Sequence, residues 1–147
     1  MFHTCTGVDE QGRICVHDHH VLELSVSAER RELRLRTRSE GPKPIVVDIV
    51  FSGLEAYYLP GDNLGTILSS IGEGNPEDQL AEDAALFTDG ASYAWPGAWN
   101  TSVEAVRERV RGKGIRAWVV HSHYGMGGWV WAQSMSQALV NQPAAAT

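Results

Sequence analysis

Hydrophobic and polar positions follow two different periods along this chain, and the change of period divides it into elements. Leu33, Leu35 and Thr37 alternate with Glu32, Arg34, Arg36 and Arg38. That strict period of two predicts a half-buried antiparallel strand with a wet outer face. Before it, Leu22, Leu24 and Val26 share one face of another strand, and Ala28 to Arg31 form a polar turn between the two. After the loop Ser39 to Pro44, the run IVVDIVF is rich in β-branched residues and gives the strongest strand signal of the chain. Gly53 marks a bulge or bend, with LEAYYL continuing the strand beyond it. LPGDN reads as a turn, and NLGTILSSI as a further strand.

The period then lengthens. Asn75 is a good helix cap, Pro76 suits the first helical position, and Glu77 and Asp78 favour the positive end of the helix dipole. Leu80, Ala84 and Phe87 form the expected buried stripe. TDGASYAWPGAWN is a loop pinned by Trp95 and Trp99. A second helix starts at Thr101 with Glu104 completing a capping box, turns Val103, Val106 and Val110 to the core, and ends at Gly112 or Gly114. IRAWVVHSHY and GWVWAQSM are two strands around the turn YGMGG. At the other end of the chain, HTCTGV and RICVH flank Asp9 to Gly12 and read as a hairpin. The expected architecture is α+β: an antiparallel sheet of about six to eight strands with two helices inserted before the C-terminal hairpin. Residues 1–140 form one domain and 141–147 a loose tail.

Composition adds limits. With 147 residues and 43% hydrophobic content, the chain can bury a core and is not of the disordered class. No apolar run reaches membrane-spanning length, and MFHTCTGVDE lacks the pattern of a signal peptide, so the expected compartment is the cytoplasm. There the two cysteines are expected to be reduced.

The net charge of −6 is unevenly spread. From Pro44 to Val106 there is no Lys or Arg, yet the stretch carries Asp48, Glu55, Asp62, Glu73, Glu77, Asp78, Glu82, Asp83, Asp89 and Glu104. An acidic face suited to a cationic partner is the expectation, against the plainer one of a solvated surface. Arg34, Arg36 and Arg38 form a basic row, but the acidic middle and a pI near 5.4 argue against nucleic-acid binding.

Residues 3 to 20 hold both cysteines and four of the six histidines. If facing hairpin residues sum to 20, Cys5 meets Cys15 and His3 meets His17, which offers either a Cys2His2 set for zinc or another transition metal, or a disulfide. If they sum to 22, Cys5 faces His17 and Cys15 faces Gly7. A second metal arrangement uses His17 and His19 with His121 and His123. Each pair is spaced by one residue, so both rings of a pair lie on one strand face, and four imidazoles converge if the strands are neighbours. His121 and His123 also continue the apolar row of Ile115, Ala117 and Val119, which makes them candidate core residues instead. Asp18 is expected to bond backbone at a turn. No nucleophile elbow and no phosphate loop is present: GEGNP lacks the Lys-Ser/Thr that a phosphate loop needs. Tyr93, Trp95, Trp99, Trp118, Trp129 and Trp131 are core and loop aromatics. Trp129 and Trp131 share a strand face.

HDHHVLELSVSAERRELRLRT, VVDIVFSGLEAYYL and HSHYGMGGWVWAQSM together resemble a group of small bacterial proteins that look like immunity proteins, with an HDxxV-type start and a C-terminal YGxxGW turn. The resemblance spans most of the chain, and its motifs specify turns and strand faces. It carries over no catalytic residue. What it implies is a non-enzymatic, immunity- or antitoxin-like binding protein with no cofactor, whose partner is a basic protein such as a toxin. On the charge pattern, Glu73, Glu77, Asp78, Glu82, Asp83 and Asp89 supply the complementary field, and Tyr93 and Trp95 the anchors. The alternative is a metal-binding protein or metal-dependent enzyme built on His3, Cys5, Cys15, His17, His19, His121 and His123. A small-molecule pocket inside a curved sheet is a third class.

Overall fold

Strand β1 (His20–Ser27) and β2 (Glu32–Arg38) form a hairpin, and β3 (Val46–Ser52) pairs against the far side of β2. These elements come from a computed structural model, which describes residues 15–61, 64–90 and 102–140, without the side chains of 88–90. The expected N-terminal hairpin falls almost entirely outside the described residues, as do Tyr93, Trp95, Trp99 and the tail 141–147. The other elements are β4 (Ala56–Tyr58), β5 (Ile67–Gly74), α1 (Pro76–Glu82), α2 (Ala84–Gly90), α3 (Val103–Lys113), β6 (Arg116–Tyr124), β7 (Gly128–Ala132) and β8 (Ser134–Leu139). The fold is α+β. One antiparallel sheet of eight strands runs in the order β4-β7-β6-β5-β1-β2-β3-β8, with the helices placed before the C-terminal strands.

The alternation in β2 and β3 does what its pattern predicts. Leu33, Leu35, Thr37, Val47, Ile49 and Phe51 are all fully buried, while Arg34, Arg36 and Asp48 lie on the other face. In β1 the ladder slips between Val21 and Glu23, which turns Leu22 out of the face it was expected to share with Leu24 and Val26. Leu22 and Val26 are exposed and only Leu24 packs on the core. A bulge adds one residue to one strand and re-aims the side chains around it, and the period of two gives no warning of it.

Two long runs are each broken once, side by side. Gly53, at φ +65°, separates β3 from β4, and Gln133 separates β7 from β8. A Cβ on Gly53 would lie 2.3 Å from Gln133 Oε1, so the two breaks touch. Around them the sheet curls until Phe51 of β3 meets Trp118 of β6, with ring centroids 5.6 Å apart. One core fills the inside of the curl with Leu33, Leu35, Ile49, Phe51, Leu68, Trp118, Val120 and Val130. A second core lies between the outer face of β7 and β6 and the helices. Trp129 and Trp131 stack on Phe87 there, beside Leu80, Val106 and Val110. Strand β7 is therefore covered on both faces, and neither of its tryptophans is free to anchor a partner.

The helical region follows its capping signals, with two shifts. Asn75 accepts from the Glu77 N–H at 2.8 Å, and Pro76 opens α1. Asp83 then takes a non-helical conformation and splits the expected single helix into α1 and α2, which leaves Ala84 exposed rather than in the buried stripe. The cap of α3 is Ser102, one residue later than the capping box at Thr101 implies, and Gly114 closes the helix in the left-handed conformation at φ +63°. No described helix is long and apolar enough to cross a membrane.

Candidate functional site

The acidic residues of the middle segment fall into two groups. Some are consumed by internal contacts. Glu73 binds Arg116 through both guanidinium arms, and that hydrogen-bonded pair holds the Glu73 carboxyl below the usual range. Glu77 of α1 accepts from Arg111 of α3 at 2.6 Å. Asp83 accepts the indole N–H of Trp129 at 3.1 Å. Asp78 and Glu82 form the other group: they stand one turn apart on α1, are exposed, and make no ion pair among the described residues. The Asp89 side chain, Tyr93 and Trp95 lie outside the description.

The cations near this layer are spoken for. Arg107 pairs with Glu104 at 2.7 Å. Arg109 and Lys113 both reach Glu55, which is joined from the β1–β2 turn by Arg31 at 3.8 Å. Glu55 is only 6% exposed, so these contacts serve a buried carboxylate and pin α3 to the sheet. Glu108 of α3 is also exposed and makes no ion pair among the described residues. The outward surface of α1 therefore keeps Asp78 and Glu82 without an ion pair among the described residues, whereas the α3 cations Arg107, Arg109, Arg111 and Lys113 are each held beside a carboxylate while staying partly exposed. On the opposite side of the charge balance, the expected basic row of β2 is partly neutralised. Arg36 makes a bidentate pair with Asp48 at 2.8 and 2.9 Å, which lowers the Asp48 carboxyl and raises the guanidinium.

The histidines are sorted by the turn that precedes β1. His19 N bonds Val16 O at 3.0 Å and Asp18 N bonds Leu68 O at 2.8 Å, which zips the turn onto the start of β5. His19 points inward and is 3% exposed. Its Nδ1 lies 2.9 Å from Thr37 Oγ1, whose own hydrogen goes to the Val47 carbonyl, so Nδ1–H is the donor. Burial first, and then the neighbouring His20, push the His19 pKa down. His19 is a neutral core residue.

His17 and His123, 106 positions apart in the sequence, do come together, with ring centroids 5.3 Å apart. His121 is exposed and stays outside this group, and it takes no place in the core either. The four-imidazole arrangement therefore reduces to two, and the third member is Asp18. Its oxygens lie 3.5 Å from His17 Nε2 and 3.2 Å from His123 Nε2. Asp18 was expected to bond backbone at a turn: it does sit in the turn, at φ +63°, but its carboxylate faces the imidazoles of His17 and His123. His3 and Cys5 lie outside the described residues. Cys15 is disulfide-bonded, so it is not the reduced thiol expected of a cytoplasmic chain and offers no thiolate to a metal.

A cavity of about 260 Å³ opens beside β5, lined by Ile71, Gly72, Glu73, Arg116, Trp118 and Met135, with the Arg116 guanidinium stacked 5.0 Å over the Trp118 ring. Its polar wall is the closed Glu73–Arg116 pair, so a ligand would meet groups already satisfied by each other. No protein-family model matches the chain, and the curated proteins and the solved structures contain no significant match to it.

Proposed function

We propose that this chain is a non-enzymatic binding protein, immunity- or antitoxin-like, that covers a basic protein partner with the outward surface of its helical layer. The observation that carries the reading is the charge allocation there. Arg107, Arg109, Arg111, Lys113 and Arg116 are all ion-paired within the chain, whereas Asp78 and Glu82 are exposed and make no ion pair among the described residues. Exposed carboxylates with no cation beside them favour encounter with an oppositely charged surface and disfavour wrong partners. A toxin is the partner class that the immunity-like resemblance implies.

Affinity capture from the source cells, followed by mass spectrometry, tests this. Wild-type protein should retain a basic protein at low salt and release it above about 0.5 M salt, where the screening length falls to a few ångströms. A Asp78→Lys, Glu82→Lys double variant should retain much less of it. Equal capture by both proteins, or retention that salt does not change, overturns the electrostatic reading. Asp83 is left intact because Trp129 depends on it.

A further inference from the structure

Acidic-surface binding leaves one side-chain group without a role. His17, Asp18 and His123 present three potential ligand atoms that all lie within 4.8 Å of one another. We propose that this group binds one divalent transition-metal ion, with zinc the best chemical match, through His17 Nε2, an Asp18 oxygen and His123 Nε2. Imidazole nitrogen and carboxylate oxygen are ligands that zinc accepts at about 2.0–2.2 Å, which in a tetrahedral arrangement sets neighbouring ligands about 3.3 Å apart. Asp18 Oδ2 lies 3.5 Å from His17 Nε2 and Asp18 Oδ1 lies 3.2 Å from His123 Nε2, both near that spacing, and one ligand atom from each of the three residues falls within 4.8 Å of the others.

Hydrogen bonding orients the first ligand. His17 Nδ1 lies 3.0 Å from the Ser69 carbonyl oxygen, which can only accept, so Nδ1 carries the hydrogen. In the neutral imidazole the lone pair then belongs to Nε2, the atom turned to Asp18. A backbone carbonyl on the remote nitrogen is the usual outer support of a metal-bound histidine. With Nδ1 so engaged, it is Nε2 that faces the Asp18 carboxylate across 3.5 Å, a place that a proton or a metal cation fills.

The backbone departs from regular pairing at this same place. The β5–β6 ladder steps from Ile67↔Tyr124 to Leu68↔Ser122 and then to Ser70↔His121, so His123 and Ser69 are each left out of the register. Such irregularities re-aim a side chain out of the regular alternation. Here one presents His123 as ligand and the other presents the Ser69 carbonyl as support. The group joins the turn before β1 to β5 and β6, where the β1–β5 ladder consists of the single pair His20↔Ile67. An ion bound here would clip together the thinnest seam of the sheet. With His123 and Asp18 at 43% and 56% side-chain exposure, the remaining coordination position opens to solvent, as in sites that keep a bound water.

The test is a calorimetric zinc titration of untagged, chelator-treated protein, with thermal melting alongside. The variants are Asp18→Asn, which tolerates the left-handed turn conformation, His123→Ala, and His121→Ala as a control on the same strand. Circular dichroism confirms that each is folded. One zinc per chain, a higher melting temperature with zinc, an affinity weaker by at least about tenfold in Asp18→Asn and His123→Ala, since losing a direct ligand costs no less than losing an outer support, and no change in His121→Ala are expected. A group that takes up only protons would give no zinc heat and no melting shift up to about millimolar zinc, and would overturn the proposal. So would zinc binding of equal strength in all variants, which would place the ion elsewhere on the chain.

Discussion

Asp83 accepts the indole N–H of Trp129 across 3.1 Å, which makes it a structural residue in the middle of an acidic run. Trp129 is only 4% exposed, so the lost partner would leave a buried donor unsatisfied. Asp83→Ala is expected to cost about 1–3 kcal/mol. Glu82→Ala, one residue away on the exposed side, should stay within about 0.5 kcal/mol of wild type. Urea denaturation of the two variants checks the contrast.

Glu55 holds α3 to the sheet by serving Arg109, Lys113 and Arg31 at once. Glu55→Ala removes every one of these contacts and leaves cations that can still turn to solvent. A loss of about 2 kcal/mol is expected, typical of hydrogen bonds to charged groups. Arg109→Ala should cost less, because Lys113 and Arg31 still face the carboxylate. Comparing the two denaturation midpoints decides it.

Asp48 gives the fold a defined acid sensitivity. Its carboxyl is lowered, chiefly by the hydrogen-bonded Arg36 guanidinium, from an ordinary value of 3.8. A carboxylate with a depressed folded-state pKa stabilises the fold above its unfolded value, and that contribution disappears as pH falls through the folded value. Wild-type stability should therefore drop on acidification below about pH 4. Asp48→Asn should be less stable at neutral pH and lose less over the same interval, as read from urea midpoints at several pH values.

Gly128 lies where β7 approaches the end of β4. A Cβ at this position would sit 1.9 Å from the Tyr58 carbonyl oxygen, which is backbone and cannot swing aside. Gly128→Ala is expected to cost at least about 2 kcal/mol. Gly72→Ala, where nothing lies within 4 Å of the new atom, is the matched control. Thermal melts of both proteins test the difference.

The sequence by itself determined the local elements. Alternation in 32–38 and 46–52 fixed two strands and the faces they bury, because side chains on a strand point to opposite sides in turn. Asn75 and Pro76 fixed a helix start and Gly112 or Gly114 a helix end, which the structure puts at Gly114, because caps and left-handed turns are satisfied within a few residues. The run of acids without bases was equally plain, but not its division into compensated and uncompensated groups. That division depends on which distant side chains arrive, as when Arg111 reaches Glu77 and Arg116 reaches Glu73.

The histidine group shows the limit most clearly. Two-residue spacing placed His17 with His19 and His121 with His123, and it offered all four as equals. Tertiary structure kept one of each pair. A left-handed turn at Asp18 sent His19 into the core and left His17 outside, and a slipped ladder singled out His123. Such breaks are set by how the curled sheet closes over its core, through contacts between segments about a hundred residues apart. A period read within one strand carries no record of them.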